Sequence, residues 1–253
     1  FYSNVLSPKN WIRQLNTRLG IFTWVIVTLT LKTILAYGAD FEWLHVQDPI
    51  QVVLMLLNPV GFTILLFSLT LFIKPKQLYY GALIVLDAVM TLLLYLNVIY
   101  FREFSDFMSV NTMLGYNTVN QGGKAAGAIA FGMHDFLFWI DIVILIALFL
   151  ARKIRFDNEV LPRFKPFKIL TIGFFVLTTN LLVADIDRPQ LLTRQFDREY
   201  MVKYLGLGPF MIYDGINTYQ TGQVRKSATP EEFTQVKNYI QKHYANINPE
   251  FYG

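Results

Sequence analysis

Five long apolar stretches, roughly 19–37, 50–73, 78–101, 136–151 and 169–184, constrain this chain more than anything else in it. A helix that crosses about 30 Å of hydrocarbon needs about 20 apolar residues, or about 17 when short. The last two stretches sit at that lower limit and are expected to borrow flanking residues. The expected fold is all-α: a polytopic membrane protein with five transmembrane helices, plus interfacial and extracellular juxtamembrane helices. An odd number of spans puts the termini on opposite faces.

The charges orient the set. Lys9, Arg13, Arg18, Lys74, Lys76, Arg152, Lys153, Arg155, Arg163, Lys165 and Lys168 all fall on one side of the spans, against only Arg102 and Lys124 in the two loops opposite. Short loops rich in Lys and Arg stay in the cytoplasm. The N-terminus is therefore expected inside, and everything after about Asp185 outside. The loop 40–48 fits, with Asp40, Glu42 and Asp48 and neither Lys nor Arg. The isoelectric point of about 9.1 then follows from topology and calls for no nucleic-acid partner. Charged residues make up 16% of the chain, against about 25% in a typical soluble domain. The absence of cysteine excludes a disulfide framework and thiol chemistry. The first apolar stretch is too long for a removable signal peptide, and no small-residue cleavage signal follows it. The sequence starts without Met, and a fragment of a longer protein is expected.

Four parts follow: 1–18, an amphipathic helix on the cytoplasmic side; 19–185, the membrane domain; 186–220, juxtamembrane helices; and 221–253, a linker and a further helix. In the first, Trp11, Ile12, Leu15 and Leu19 recur at helical spacing. Phe104, Phe107 and Met108 predict a short helix resting in the outer interface. Gly122 to Gly132 is rich in Gly and Ala, and reads either as a re-entrant segment or as a loop. Beyond the last span, Leu191, Leu192, Phe196, Tyr200, Met201 and Tyr204 form an apolar stripe that predicts a helix ended by Gly206 and Gly208. A second short helix is expected over 209–219 and a linker over 221–227. Thr229-Pro230-Glu231-Glu232 reads as a helix start, with Thr as cap and Pro at the first position.

No catalytic set is visible. His45, His134 and His243 are isolated, and no phosphate-binding or dinucleotide loop occurs. The informative residues are Lys32, Asp87 and Asp141, which interrupt apolar runs where a charge costs about 2.5–3.5 kcal/mol on insertion scales. Lys32 and Asp141 are placed by topology at similar depth, near the outer surface. Either they pair or Lys32 snorkels alone. Asp87 is placed deeper, with no role assigned. Arg102, Arg188, Arg194, Arg198 and Lys203 gather at the outer surface with Tyr100, Tyr200 and Tyr204. Cations among aromatic anchors suit either an anionic lipid phosphate or ordinary interfacial anchoring.

At these residues the chain resembles the N-terminal membrane domain of bacterial lipoteichoic acid synthases, over nearly its whole length. The likeness rests on an ordered set: Leu31-Lys32-Thr33, Asn58-Pro59, Tyr100-Phe101-Arg102, Phe104-Ser105-Asp106-Phe107, Asp135-Phe136 and Ile140-Asp141. It continues with Asp187-Arg188-Pro189, Leu191-Leu192-Thr193-Arg194, Phe196-Asp197, Lys203-Tyr204-Leu205-Gly206 and Tyr213-Asp214-Gly215, and ends on Asn248-Pro249 and Phe251-Tyr252-Gly253. The resemblance implies five membrane helices followed by a sulfatase-like extracellular catalytic domain with a Thr nucleophile and a divalent metal, typically manganese. Such an enzyme moves glycerol phosphate from phosphatidylglycerol to a polyglycerolphosphate chain on a glycolipid, in the plasma membrane of Gram-positive bacteria. This chain stops before that domain, so it is expected to be inactive alone and to hold no cofactor. The family is also cut by signal peptidase. The corresponding position here is Ala228, where Lys226 stands in place of a small residue. The roles in view are an anchor that positions lipid substrate through Lys32, Arg102, Arg188, Arg194 and Lys203, a lipid-translocating module, and an anchor that docks envelope-synthesis or division proteins.

Overall fold

The computed structural model describes residues 16–114, 132–151, 162, 164–192, 197–227 and 230–244. All regular structure among them is helical, and the chain divides into two compact units, Phe1–Met211 and Ile212–Gly253. The expected N-terminal amphipathic helix, most of the Gly/Ala-rich stretch, Arg194 and the cleavage position at Ala228 lie outside the described residues.

In the first unit, helix α1 runs Arg18–Ala39, α2 Pro49–Ser68 with a 3-10 turn Leu69–Phe72 after it, α3 Lys76–Phe104, and α4 Val110–Leu114. A 3-10 turn, Asp135–Phe138, precedes α5, Ile140–Leu150. Then come α6, Lys165–Asp187, α7, Arg198–Leu205, and the start of α8, Leu207–Ser227. The local sequence sets the starts. Thr17 caps α1 by accepting from the Gly20 amide at 2.9 Å, and Pro49 opens α2 where no amide partner is needed.

Helices α1, α2 with its 3-10 turn, α3 and α6 are long and apolar enough to cross a membrane. The fourth expected span corrects the count of five. Its apolar residues are divided between the 3-10 turn and α5, whose 11 residues rise only about 16 Å. Outward-facing Leu31, Val53, Val85, Phe175 and Ile186 are each more than half exposed, as surfaces that meet lipid rather than water. The domain is therefore an all-α polytopic membrane domain.

Helix α1 packs on α2 and α3, α2 packs most extensively on α6, and α5 packs on α3. Small residues bring α2 and α6 together. A Cβ on Gly173 would lie 2.7 Å from the Leu65 amide nitrogen, and one on Gly61 would lie 2.9 Å from Val176. At one end of the bundle, Arg18 donates to the Ile73 carbonyl at 2.9 Å and to that of Lys74, and the Tyr79 hydroxyl donates to the Arg18 carbonyl at 2.9 Å. This basic end is built on Ile21, Phe22, Val25, Leu71, Tyr79 and Leu83. The opposite, acidic end is closed by Phe41, whose ring lies 5.1 Å from Phe101 and 4.8 Å from Phe107. Phe107 is fully buried in that cluster. It belongs to the core, not to the interfacial helix expected around it. Residue Phe104 ends α3, and the short helix begins only at Val110.

In the second unit α8 runs on to Ser227, so residues 221–227, expected as a linker, are helical. Helix α9, Pro230–Tyr244, begins at the proline expected to open it and exposes Val236, Tyr239 and Ile240.

Candidate functional site

Two asparagines fix where the candidate lipid-binding cations stand. Asn58 of α2 donates through Nδ2 to the Lys203 carbonyl at 2.8 Å, and Asn180 of α6 does the same to the Tyr204 carbonyl at 3.0 Å. A helix leaves its last carbonyls without partners, and in α7 two of them are taken up by neighbouring spans. Asn58 lies nine residues into α2 and Asn180 seven residues before the end of α6. At 1.5 Å per residue, the C-terminal end of α7 sits about 10–14 Å below the ends of those helices. Residues 201–205 are all buried. Helix α7 therefore turns back into the bundle.

Gly206 makes the turn at the bottom. Its φ of +84° with extended ψ suits glycine, and an added Cβ would meet Asn58 Cβ at 2.9 Å. Gly206→Ala is expected to lower stability by about 1–3 kcal/mol. Gly81→Ala, in a helix with open space around the new methyl, should be neutral or stabilising. Thermal unfolding of the two variants in detergent checks this; equal midpoints would contradict it.

The descent of α7 brings four of the expected site residues together. The Tyr200 ring has the Lys203 ammonium 4.7 Å from its centroid and the Arg188 guanidinium 5.4 Å from it. Tyr200 and Tyr204 stack with centroids 6.1 Å apart. The Tyr204 hydroxyl donates to Asp187 at 2.5 Å and accepts from Gln51 at 3.1 Å and from Arg188 at 3.3 Å. Lys203 is 2% exposed and donates to the His45 carbonyl at 3.1 Å. Among the described residues no carboxylate lies within ion-pair distance of it. Burial pushes the Lys203 pKa down, and the Tyr204 hydrogen bond pushes that of Arg188 up. Such a lysine, held on a ring face and a carbonyl, gains from an incoming anion.

The carbonyl that holds Lys203 comes from an unusual turn. Glu42, Trp43, Leu44 and His45 all have positive φ, between 45° and 53°. Leu44 is buried beneath them, while the His45 ring reaches Glu199 of α7 at 2.7 Å. Hydrogen bonding to Glu199 raises the His45 pKa.

The remaining expected site residues stand elsewhere. Arg102 is committed to carboxylates. Its guanidinium reaches Asp40 at 2.7 Å, and meets Asp135 at 2.7 and 3.1 Å in a two-point contact. Asp135 also accepts from the Gly132 amide and the Tyr95 hydroxyl, and His134 lies 3.1 Å from Asp40. Arg102 is thus a structural cation and leaves the lipid set. Arg198 reaches Asp106 at 2.6 Å and the Phe107 carbonyl at 3.1 Å.

Lys32 makes its polar contacts with α3 and α5. Its ammonium is 2.7 Å from Asp141, 3.3 Å from Asp87 and 2.8 Å from the Thr91 hydroxyl, all inside the bundle. Asp87, which the sequence places deeper and apart, shares this cluster. Sequence reasoning missed Asn58, Asn180, Gln51 and Asp187 as site-forming residues. The signal for the two asparagines was an amide in the middle of an apolar span.

The sequence matches the family described as the lipoteichoic acid synthase N-terminal domain over residues 6–227. Lipoteichoic acid synthases of Staphylococcus aureus strains USA300, MRSA252 and N315 are each 35% identical to it over 235 residues, 92% of this chain. The chain spans about a third of the length of these relatives, 36% of each. No solved structure matches it. With a four-span core, a short fifth apolar helix and an α7 clamped between two spans, the chain belongs to the lipoteichoic acid synthase N-terminal domain family.

Proposed function

We propose that this membrane domain holds an anionic glycerophospholipid headgroup at its acidic end, on Arg188 beside the Tyr200 ring, with Lys203 supplying charge from the other contact on that ring. In this reading the lipid is phosphatidylglycerol, the glycerol phosphate donor that the family resemblance implies, with the glycolipid-linked polyglycerolphosphate chain as acceptor. The chemistry would occur in an extracellular catalytic domain; here the chain's own residues bind and orient. The acidic end faces outward in this reading, and the N-terminus lies in the cytoplasm of a Gram-positive cell, following the Lys and Arg asymmetry.

The observation that carries the proposal is the pair of cations sharing the Tyr200 ring, one of them a buried lysine with no carboxylate partner among the described residues. Arg188 presents several donors in the plane that suits a phosphate, and Lys203 adds a point charge. Holding the headgroup there limits its freedom before reaction, which lowers a barrier without any new chemistry.

Native mass spectrometry of the purified chain, with phosphatidylglycerol competed against phosphatidylethanolamine, tests it. The wild type should retain phosphatidylglycerol selectively. Arg188→Gln should weaken retention about tenfold or more, from the ~1.5–3 kcal/mol of a charge-assisted hydrogen bond. Lys203→Gln should weaken it less, because the ammonium acts at a distance. Equal retention of the two lipids by the wild type would sink the proposal.

A further inference from the structure

The cluster inside the bundle does not balance its charge. Lys32 of α1 is 4% exposed, Asp87 and Thr91 of α3 are fully buried, and Asp141 of α5 is 3% exposed. The ammonium donates to Thr91 at 2.8 Å and to Asp87 at 3.3 Å, and forms an ion pair with Asp141 at 2.7 Å. The Thr91 hydroxyl lies 3.4 Å from the same Asp87 oxygen. One ammonium therefore faces two carboxyl groups. Oδ2 of Asp87 and both oxygens of Asp141 are buried without a hydrogen-bond partner. No other charged side chain among the described residues lies within ion-pair distance of these three.

If both carboxyls were ionised, the cluster would carry a net charge of −1 in the interior of a membrane domain. A charge without a counter-charge there is far more costly than a neutral group, and a buried carboxyl takes up a proton instead. Two carboxyls sharing one ammonium also repel each other's ionisation.

We propose that Lys32, Asp87 and Asp141 form an intramembrane proton-binding site that holds one proton on a carboxyl oxygen at neutral pH. The occupied site is a neutral assembly of one ammonium, one carboxylate and one carboxylic acid. The proton comes from water and replaces no other ligand. Among the described residues, Lys32–Asp141 is the one ion pair that ties α5 to the rest of the bundle. Occupancy of the proton site therefore sets how firmly this short helix is held. Departure of the proton leaves Asp87 and Asp141 to compete for one ammonium.

Infrared spectroscopy of the full chain tests this, because a carboxylic acid C=O stretch is separate from a carboxylate band and shifts in deuterium oxide. The wild type should show one buried carboxylic acid at pH 7. Asp87→Asn and Asp141→Asn should each abolish it, because the carboxyl that remains then pairs with Lys32 as a carboxylate; a band that survives in both variants would overturn the proposal. Each exchange is close in shape and keeps the cluster neutral, so both variants should fold. The wild-type spectrum alone is decisive if they do not. Absence of the band at pH 7 overturns the proposal. Loss of the band on adding sodium chloride, at constant pH, also overturns it, since the occupant would then be a monovalent cation.

Discussion

Lys32→Met is expected to lower the stability of this domain by about 3–5 kcal/mol, the range for removing one partner of a buried ion pair. The ammonium is the counter-charge within reach of Asp87 and Asp141, at 3.3 and 2.7 Å, and all three side chains are 5% exposed or less. Methionine fills much of the volume, so the loss is electrostatic rather than a cavity. A clear fall in the thermal unfolding midpoint should follow in detergent or in vesicles. Lys32→Met combined with Asp141→Asn removes one stranded carboxyl and should recover part of the loss. An unchanged midpoint in Lys32→Met would mean that the lysine neutralises nothing, and that the two carboxyls are accommodated without it.

Arg102→Gln is the second large effect, expected at about 2–4 kcal/mol. The figure is kept below that of a fully buried pair because the Arg102 side chain is 22% exposed, so solvent screens part of the interaction. The variant leaves Asp40, 2% exposed, and Asp135 without their shared cation. The pH dependence gives a sharper reading. Hydrogen bonding to Arg102 holds the Asp135 carboxyl below its ordinary value. A depressed carboxylate stabilises the fold at any pH above its unfolded pKa, near 4, and that stability is lost as pH falls through the lower folded value. The wild type should therefore lose stability in acid below about pH 4, and Arg102→Gln should lose less over the same interval. Superimposable acid limbs in the two proteins would contradict this account of Asp135.

Much of the fold is written in hydropathy alone. Long apolar runs bounded by Lys9, Arg18, Lys74 and Lys168 on one side leave little choice but membrane helices, and α1, α2, α3 and α6 follow them closely. Where the sequence misleads, the reason is tertiary. Phe107 looks interfacial because it lies between polar residues, yet Phe41 and Phe101 close over it. Helix α7 looks like a surface helix because Arg198, Glu199 and Lys203 alternate with apolar residues. Two asparagines from distant spans accept its backbone into the bundle, and no local pattern encodes that. Arg102 shows the same limit. As a cation beside aromatics it fits a phosphate, and only the positions of Asp40 and Asp135, 62 and 33 residues away along the chain, reveal what it holds.

The clamp on α7 grips main-chain carbonyls and no side chain of α7 itself. Position and sequence are thereby separated at residues 203 and 204: what the helix presents can change while where it presents it stays fixed. A lineage that exchanges Lys203 or Tyr204 keeps the backbone placement while Asn58, Asn180 and the bend at Gly206 remain, but must find new partners for Gln51, Asp187 and the His45 carbonyl, which those side chains now hold.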